Sequence, residues 1–184
     1  MTKYMATPRF PDGFKLLPTQ VIAQPPNQFD QTLTVAAGAN DGVRRGNAVV
    51  DPEGNLVGTV SLVYSRSALV TMLTDETSAV AAKDPATGAK GLIKHAQGTA
   101  STMILDRVEK KEVVREGDTV ITSGFKWRDL SSLYPAGISI GWVSSTSLVD
   151  TENFRSVLVT PFADFSSLES VVVVVPPKDA RGLP

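Results

Sequence analysis

Three blocks of this sequence occur twice, in the same order, and that duplication constrains the fold more than any other feature. Ser67-Ala68-Leu69-Val70-Thr71-Met72-Leu73-Thr74-Asp75 returns as Ser156-Val157-Leu158-Val159-Thr160-Pro161-Phe162-Ala163-Asp164, with five of nine positions identical and the others pairing small or apolar residues. Upstream, Val43-Arg44-Arg45-Gly46-Asn47-Ala48-Val49-Val50 matches Val114-Arg115-Glu116-Gly117-Asp118-Thr119-Val120-Ile121. Between these blocks, Val57-Gly58-Thr59-Val60 matches Ile140-Gly141-Trp142-Val143. Such a repeat argues for two related β domains in tandem, and for a scaffold more readily than for a single-cleft enzyme.

Composition supports that reading and narrows the partners. Each half of a 184-residue chain is small for a domain and buries proportionally little surface alone, so the two are expected to pack together. Net charge is −1, which points away from nucleic acid and from anionic membrane surfaces. With no cysteine, disulfides and thiolate metal sites are excluded. No apolar run approaches the ~20 residues of a membrane span; the longest, Val171 to Val175, has the length of a strand. No signal-peptide pattern is visible, and Met1-Thr2-Lys3-Tyr4 reads as an internal segment behind a start codon.

The middle of the chain reads as β throughout. It carries most of the 23 valines, which suit a pleated, half-buried surface. Short apolar runs alternate with turns such as Asn40-Asp41-Gly42, Asp51-Pro52-Glu53-Gly54-Asn55, Asp84-Pro85-Ala86-Thr87-Gly88 and Glu116-Gly117-Asp118. Gly58 and Gly141 fall inside strands at matched positions, as at a bulge or barrel corner. Helix is scarce, with at most a turn within 144–155. Prolines crowd the two ends, which read as extended arms. The expected fold is all-β: a lead-in over 1–17, a first small barrel over 18–97, a second packed on it over 98–176, and a proline-containing tail over 177–184. End strands are free to exchange between the barrels.

Few residues carry chemistry. His95 is the lone histidine and reads as a surface residue. A two-barrel serine hydrolase would pair it with Ser123, but no nucleophile elbow is present. The turn at Val114 to Val120 resembles those of biotinyl- and lipoyl-carrier barrels, yet no modifiable lysine stands at a matching place, and a tight β-turn explains it. Asp75 and Asp164 are repeat partners, so they read as structural, and no metal-spaced cluster or phosphate loop occurs. No residue is assigned to catalysis, a cofactor or a metal. The one segment that breaks the repeat is an insertion in the second copy, Gly124 to Ala136. Its Phe125, Trp127, Arg128, Leu130, Leu133 and Tyr134 include the residue types enriched in binding hot spots, and are the candidate protein-binding residues. The plainer reading is that Trp127 and Leu130 cap the open end of the second barrel.

Taken together, the blocks resemble the extracytoplasmic part of the bacterial rod-shape-determining MreC family, over roughly Val21 to Val175. The residues that carry the resemblance are Val21-Ile22-Ala23, Gly42-Val43-x-x-Gly46-x-x-Val49-Val50, Gly54-x-Leu56-Val57-Gly58-x-Val60 and Ser67-x-x-Val70-x-x-Leu73-Thr74-Asp75. They continue with Gly117-Asp118-x-Val120-x-Thr122-Ser123-Gly124, Tyr134-Pro135-x-Gly137-Ile138-x-Ile140-Gly141-x-Val143 and Val159-x-Pro161-x-Ala163-Asp164. The resemblance implies two β barrels downstream of a membrane helix and coiled coil that this chain lacks. It implies a non-enzymatic scaffold of the elongasome outside the cytoplasmic membrane. The implied partners are the elongation penicillin-binding transpeptidase and MreD, with MreB reached indirectly, together with self-association. The segment Phe125 to Tyr134 is longer than the family's usual connection. A rival reading is an adaptor barrel of a membrane-fusion or secretion system.

Overall fold

The computed structural model describes residues 13–24, 31–96, 102–124, 135–146 and 154–177, with the backbone of 126–127 and 130–131. Two closed six-stranded barrels account for almost all of it. Around the first ring run β1 (Lys15–Ala23), β14 (Ser170–Val175), β3 (Ala48–Val50), β4 (Leu56–Val63), β5 (Ala68–Met72) and β2 (Thr32–Val35). Around the second run β6 (Ala79–Lys83), β9 (Thr119–Thr122), β12 (Ser139–Ser145), β13 (Phe154–Pro161), β8 (Met103–Glu109) and β7 (Lys90–His95). A two-stranded hairpin, β10 (Lys126–Trp127) with β11 (Leu130–Ser131), stands apart. The described helix is one 3-10 turn, Ala39–Asp41.

The sequence repeat is a structural repeat. Gly58 faces Met72 across β4 and β5 as Gly141 faces Pro161 across β12 and β13, and each pair of strands slips register beyond Val60 and Val143 respectively. The entry turns match bond for bond. Gly46 N–H donates to Val60 at 2.8 Å, and Gly117 N–H to Val143 at 2.8 Å. Arg44 N–H donates to Asn47 Oδ1, and Arg115 N–H to Asp118 Oδ2. The carrier-like turn is thus part of the repeat. Asp75 and Asp164 each accept the N–H and hydroxyl of the residue two places on, Thr77 and Ser166, fixing the turn after each copy.

The division at 97/98 does not follow the barrels. Asp84 N–H bonds to Ala89 O at 2.8 Å and Gly88 N–H to Asp84 O at 2.7 Å, closing a hairpin too tight to let β6 and β7 part. Both therefore belong to the second barrel, and the chain crosses earlier, at 75–78. It crosses back after Asp164, so β14 closes the first barrel between β1 and β3. The sixth strand of each copy thus sits in the other copy's barrel. The lead-in assigned to 1–17 also ends early, because β1 begins at Lys15. Pro18 is tolerated there: it lies opposite Val172, in a stretch of β1 paired on that side alone.

Reciprocal exchange explains the valine run. Val171 and Val173 enter the core of the first barrel with Val49 and Val57. Val174, flanked by Val172, instead joins Ala48, Val50, Leu56 and Leu73 in a cluster continuous with the second barrel's core of Ile93, Leu105, Ile138 and Ile140. Strands covered on both faces need apolar residues at successive positions rather than at alternate ones. A bridge between Asn55 and Ser139 adds a backbone link between the barrels.

Candidate interaction surface

The insertion grows from a turn that both copies share. In the first barrel Asp51 N–H bonds Asn55 O, Gly54 N–H bonds Asp51 O, and Asn55 N–H bonds Asp51 Oδ1 at 2.8 Å. In the second, Thr122 N–H bonds Ile138 O, Gly137 N–H bonds Thr122 O, and Ile138 N–H bonds Thr122 Oγ1 at 2.9 Å. Two residues separate Asp51 from Gly54, and fourteen separate Thr122 from Gly137. The buried Thr122 hydroxyl also donates to Pro135 O at 2.7 Å, tying the stem shut. The insertion therefore stands on a closed base and leaves the barrel's hydrogen bonds intact.

Of the candidate binding residues, Trp127 and Leu130 are backbone partners in the β10–β11 hairpin. Phe125, Arg128, Leu133 and Tyr134 lie outside the described residues. Every barrel strand has a neighbour on both sides over at least part of its length, because each ring closes. Among the named strands, β10 and β11 pair on one side only along their length, as does the start of β1 around Pro18.

The serine-hydrolase pair is not assembled. Ser123 N–H bonds Ala81 O on β6, and Ala81 faces Leu92 on β7. His95 lies three residues further along that strand, at ~3.3 Å per residue, and two strands away from Ser123. His95 is half-buried rather than on the surface, and its buried Nδ1 has no hydrogen-bond partner, so no carboxylate holds that nitrogen. Among the described residues no group of three His, Cys, Asp or Glu is placed to hold a metal.

One exposed feature was not singled out by the sequence reading. The rings of Trp142 and Phe162 stand 5.4 Å apart, tilted by 40°, and are 38% and 39% exposed. Their repeat partners are Thr59 and the fully buried Leu73. That mismatch was the available signal, hidden because Leu73 and Phe162 pair as two apolar residues.

A family model for the barrel core of the rod shape-determining protein MreC matches residues 21–175. The chain belongs to the MreC family. The cell shape-determining protein MreC of Listeria monocytogenes is 29% identical over 161 residues, covering 86% of this chain and 52% of that protein. The MreC of Cereibacter sphaeroides is 32% identical over 124 residues, 67% of this chain and 39% of that protein. The chain thus spans about half, or less, of the length of these curated relatives. Among solved structures, Listeria MreC superposes with a TM-score of 0.78 at 26% identity, over 88% of this chain and 76% of that one. MreC from Pseudomonas aeruginosa gives 0.75 at 28% identity, over 87% and 99%. An MreC from Helicobacter pylori, solved in complex with the penicillin-binding protein PBP2, shares the fold, with a TM-score of 0.69 at 17% identity.

Proposed function

We propose that this chain is the extracytoplasmic β region of a non-catalytic scaffold that maintains rod shape by binding the penicillin-binding transpeptidase of cell-wall elongation. The observation that carries the reading is the family match across 21–175, the whole of both barrels but for the start of β1. It is supported by the Helicobacter protein of the same fold, which was solved bound to PBP2. No described helix is long and apolar enough to cross a membrane. The same reading includes MreD as a partner, MreB indirectly, and self-association.

A scaffold of this kind acts by differential binding: it shifts a partner between inactive and active states only as far as it binds one of them better. Apart from the start of β1, the closed barrels offer side chains rather than free strand edges, so contact would run through surface residues and the insertion. The test is a calorimetric titration against the purified extracytoplasmic region of the organism's own elongation transpeptidase. Saturable micromolar binding, about −8 kcal/mol, is expected. Absence of a complex at tens of micromolar would remove the reading for this chain. Phe125→Ala with Trp127→Ala should weaken that binding at least tenfold while the fold persists; unchanged binding would leave the insertion a plug.

A further inference from the structure

We propose that Trp142, Phe162 and the groove beside them form a docking site for an extended cationic segment of a partner protein, carrying an apolar anchor flanked by lysine or arginine. The proposal rests on the partner-binding reading and names the chemistry of one surface.

The groove, about 340 Å³, runs from Phe162 to the Asp51–Glu53 turn of the first barrel and along the β13–β14 connection. Phe162, Leu168 and Pro52 supply its apolar lining. Four carboxylates line it as well, Asp51, Glu53, Asp164 and Glu169, with no lysine or arginine. None of the four is in a salt bridge among the described residues. Two are held in place: Asp51 accepts from Glu53 N–H, Asn55 N–H and Asn55 Nδ2, and Asp164 from the hydroxyls of Ser166 and Ser167. The Ser166 and Ser167 hydrogen bonds also keep Asp164 below the ordinary carboxylate range, so it is ionised at neutral pH.

The repeat shows that the fold does not require this chemistry. At the matched positions of the first copy, Trp142 is replaced by Thr59, Phe162 by Leu73, and Glu169 by Val80, the last two buried. The surface beside Thr59, the match of Trp142, is lined by Thr71, Thr77, Ser78 and Arg45, hydroxyls and one cation. The first copy thus lacks the exposed aromatic pair, and of the groove's carboxylates it keeps only Asp75, the match of Asp164, with Thr122 at the match of Asp51. An exposed indole favours a cation over its face, and aromatic anchors dominate binding energy at interfaces. The unpaired negative field would attract a basic segment and repel acidic partners.

The probes are two peptides, acetyl-Lys-Leu-Lys-Phe-Lys-amide and its counterpart with glutamate for every lysine, titrated by calorimetry at 50 mM salt. Saturable binding of the lysine peptide alone is expected. Trp142→Ala, and separately Glu53→Gln with Glu169→Gln, should each weaken it roughly tenfold. Thr59→Ala, at the matched site, should leave it unchanged. The Trp142, Glu53 and Glu169 variants alter exposed side chains and Thr59→Ala a half-buried one, and a thermal melt checks that each is folded. Equal binding of both peptides, binding of neither, or indifference to both sets of substitutions overturns the proposal. So does concentration-dependent association of the chain that the Gln pair abolishes and the lysine peptide does not displace; the occupant is then a second copy presenting Arg44, Arg45 and Arg66. Titrating the same variants against the transpeptidase region separates the two readings. Equal binding to all variants there sinks the groove alone. No binding there, with the lysine peptide still bound, sinks the proposed function alone.

Discussion

A Cβ placed on Gly58 would stand 2.1 Å from the carbonyl oxygen of Thr71, and one on Gly141 would stand 2.1 Å from that of Thr160. The obstacle in each case is backbone within the sheet, which cannot swing aside as a side chain does. Gly58→Ala and Gly141→Ala should therefore each cost about 3 kcal/mol or more, the upper range for overpacking, read as a lowered urea midpoint. A loss below about 1 kcal/mol would mean the strands spread at little cost. Asp84 makes the opposite prediction. Burial, and then the neighbouring Asp118 carboxyl, hold the Asp84 carboxyl above its ordinary range, while Asp118 is held below its own. The folded state thus takes up a proton that the unfolded chain releases near pH ~4, and this group's contribution falls as pH rises from there through the raised value. Asp84→Asn keeps the acceptor for Ala86 N–H, 2.8 Å away, and supplies a donor toward Asp118. The variant should be more stable than the parent at pH 7, with the difference shrinking toward pH 4. A variant less stable at pH 7 would show that the two carboxyls do not share a proton.

Among elements, the insertion and the first strand show what sequence reasoning reaches. The insertion was legible because it lengthens one copy of a repeat, and its closed base at Thr122 predicts that it is dispensable for folding. Replacing 123–136 by the Pro52-Glu53 pair of the first copy should leave circular dichroism unchanged and the melting temperature within a few degrees. Collapse of the second barrel would mean that the insertion carries part of its core. Gly124→Val should be worse than the deletion: Gly124 has φ 60°, and its Cβ would meet Ala136 Cβ at 2.5 Å, prising the stem apart. Most strands of the two barrels were legible too, since Asn, Asp and Gly mark the turns between them. β1 was hidden by its proline, because nothing local reveals that Pro18 faces an unpaired side. Trp142 and Phe162 were hidden for another reason: they are substitutions inside the repeat, and only burial separates an exposed phenylalanine from its buried leucine partner.

At the scale of the whole molecule, the sequence leaves end-strand exchange open without deciding it, and the structure exchanges β6 and β14. A repeat identifies which strands are equivalent, and that equivalence is the same whether each sixth strand stays at home or crosses over. The exchange makes the barrels interdependent. Each lacks a wall without a strand from the other copy, and a single buried cluster spans both. Denaturant unfolding should accordingly be one transition, with Gly58→Ala and Gly141→Ala lowering the same midpoint although they lie in different barrels. Two resolved transitions, one sensitive to each substitution, would contradict this. The pairing of Lys15 with Val175 at the open end of β1 and β14 has a mechanical consequence. A pull between those two residues would part the strands like a zipper, one rung after another. A pull from Lys15 against a load held on the far barrel would instead run along the strands and strain many rungs together. The molecule is compliant in the first direction and stiff in the second.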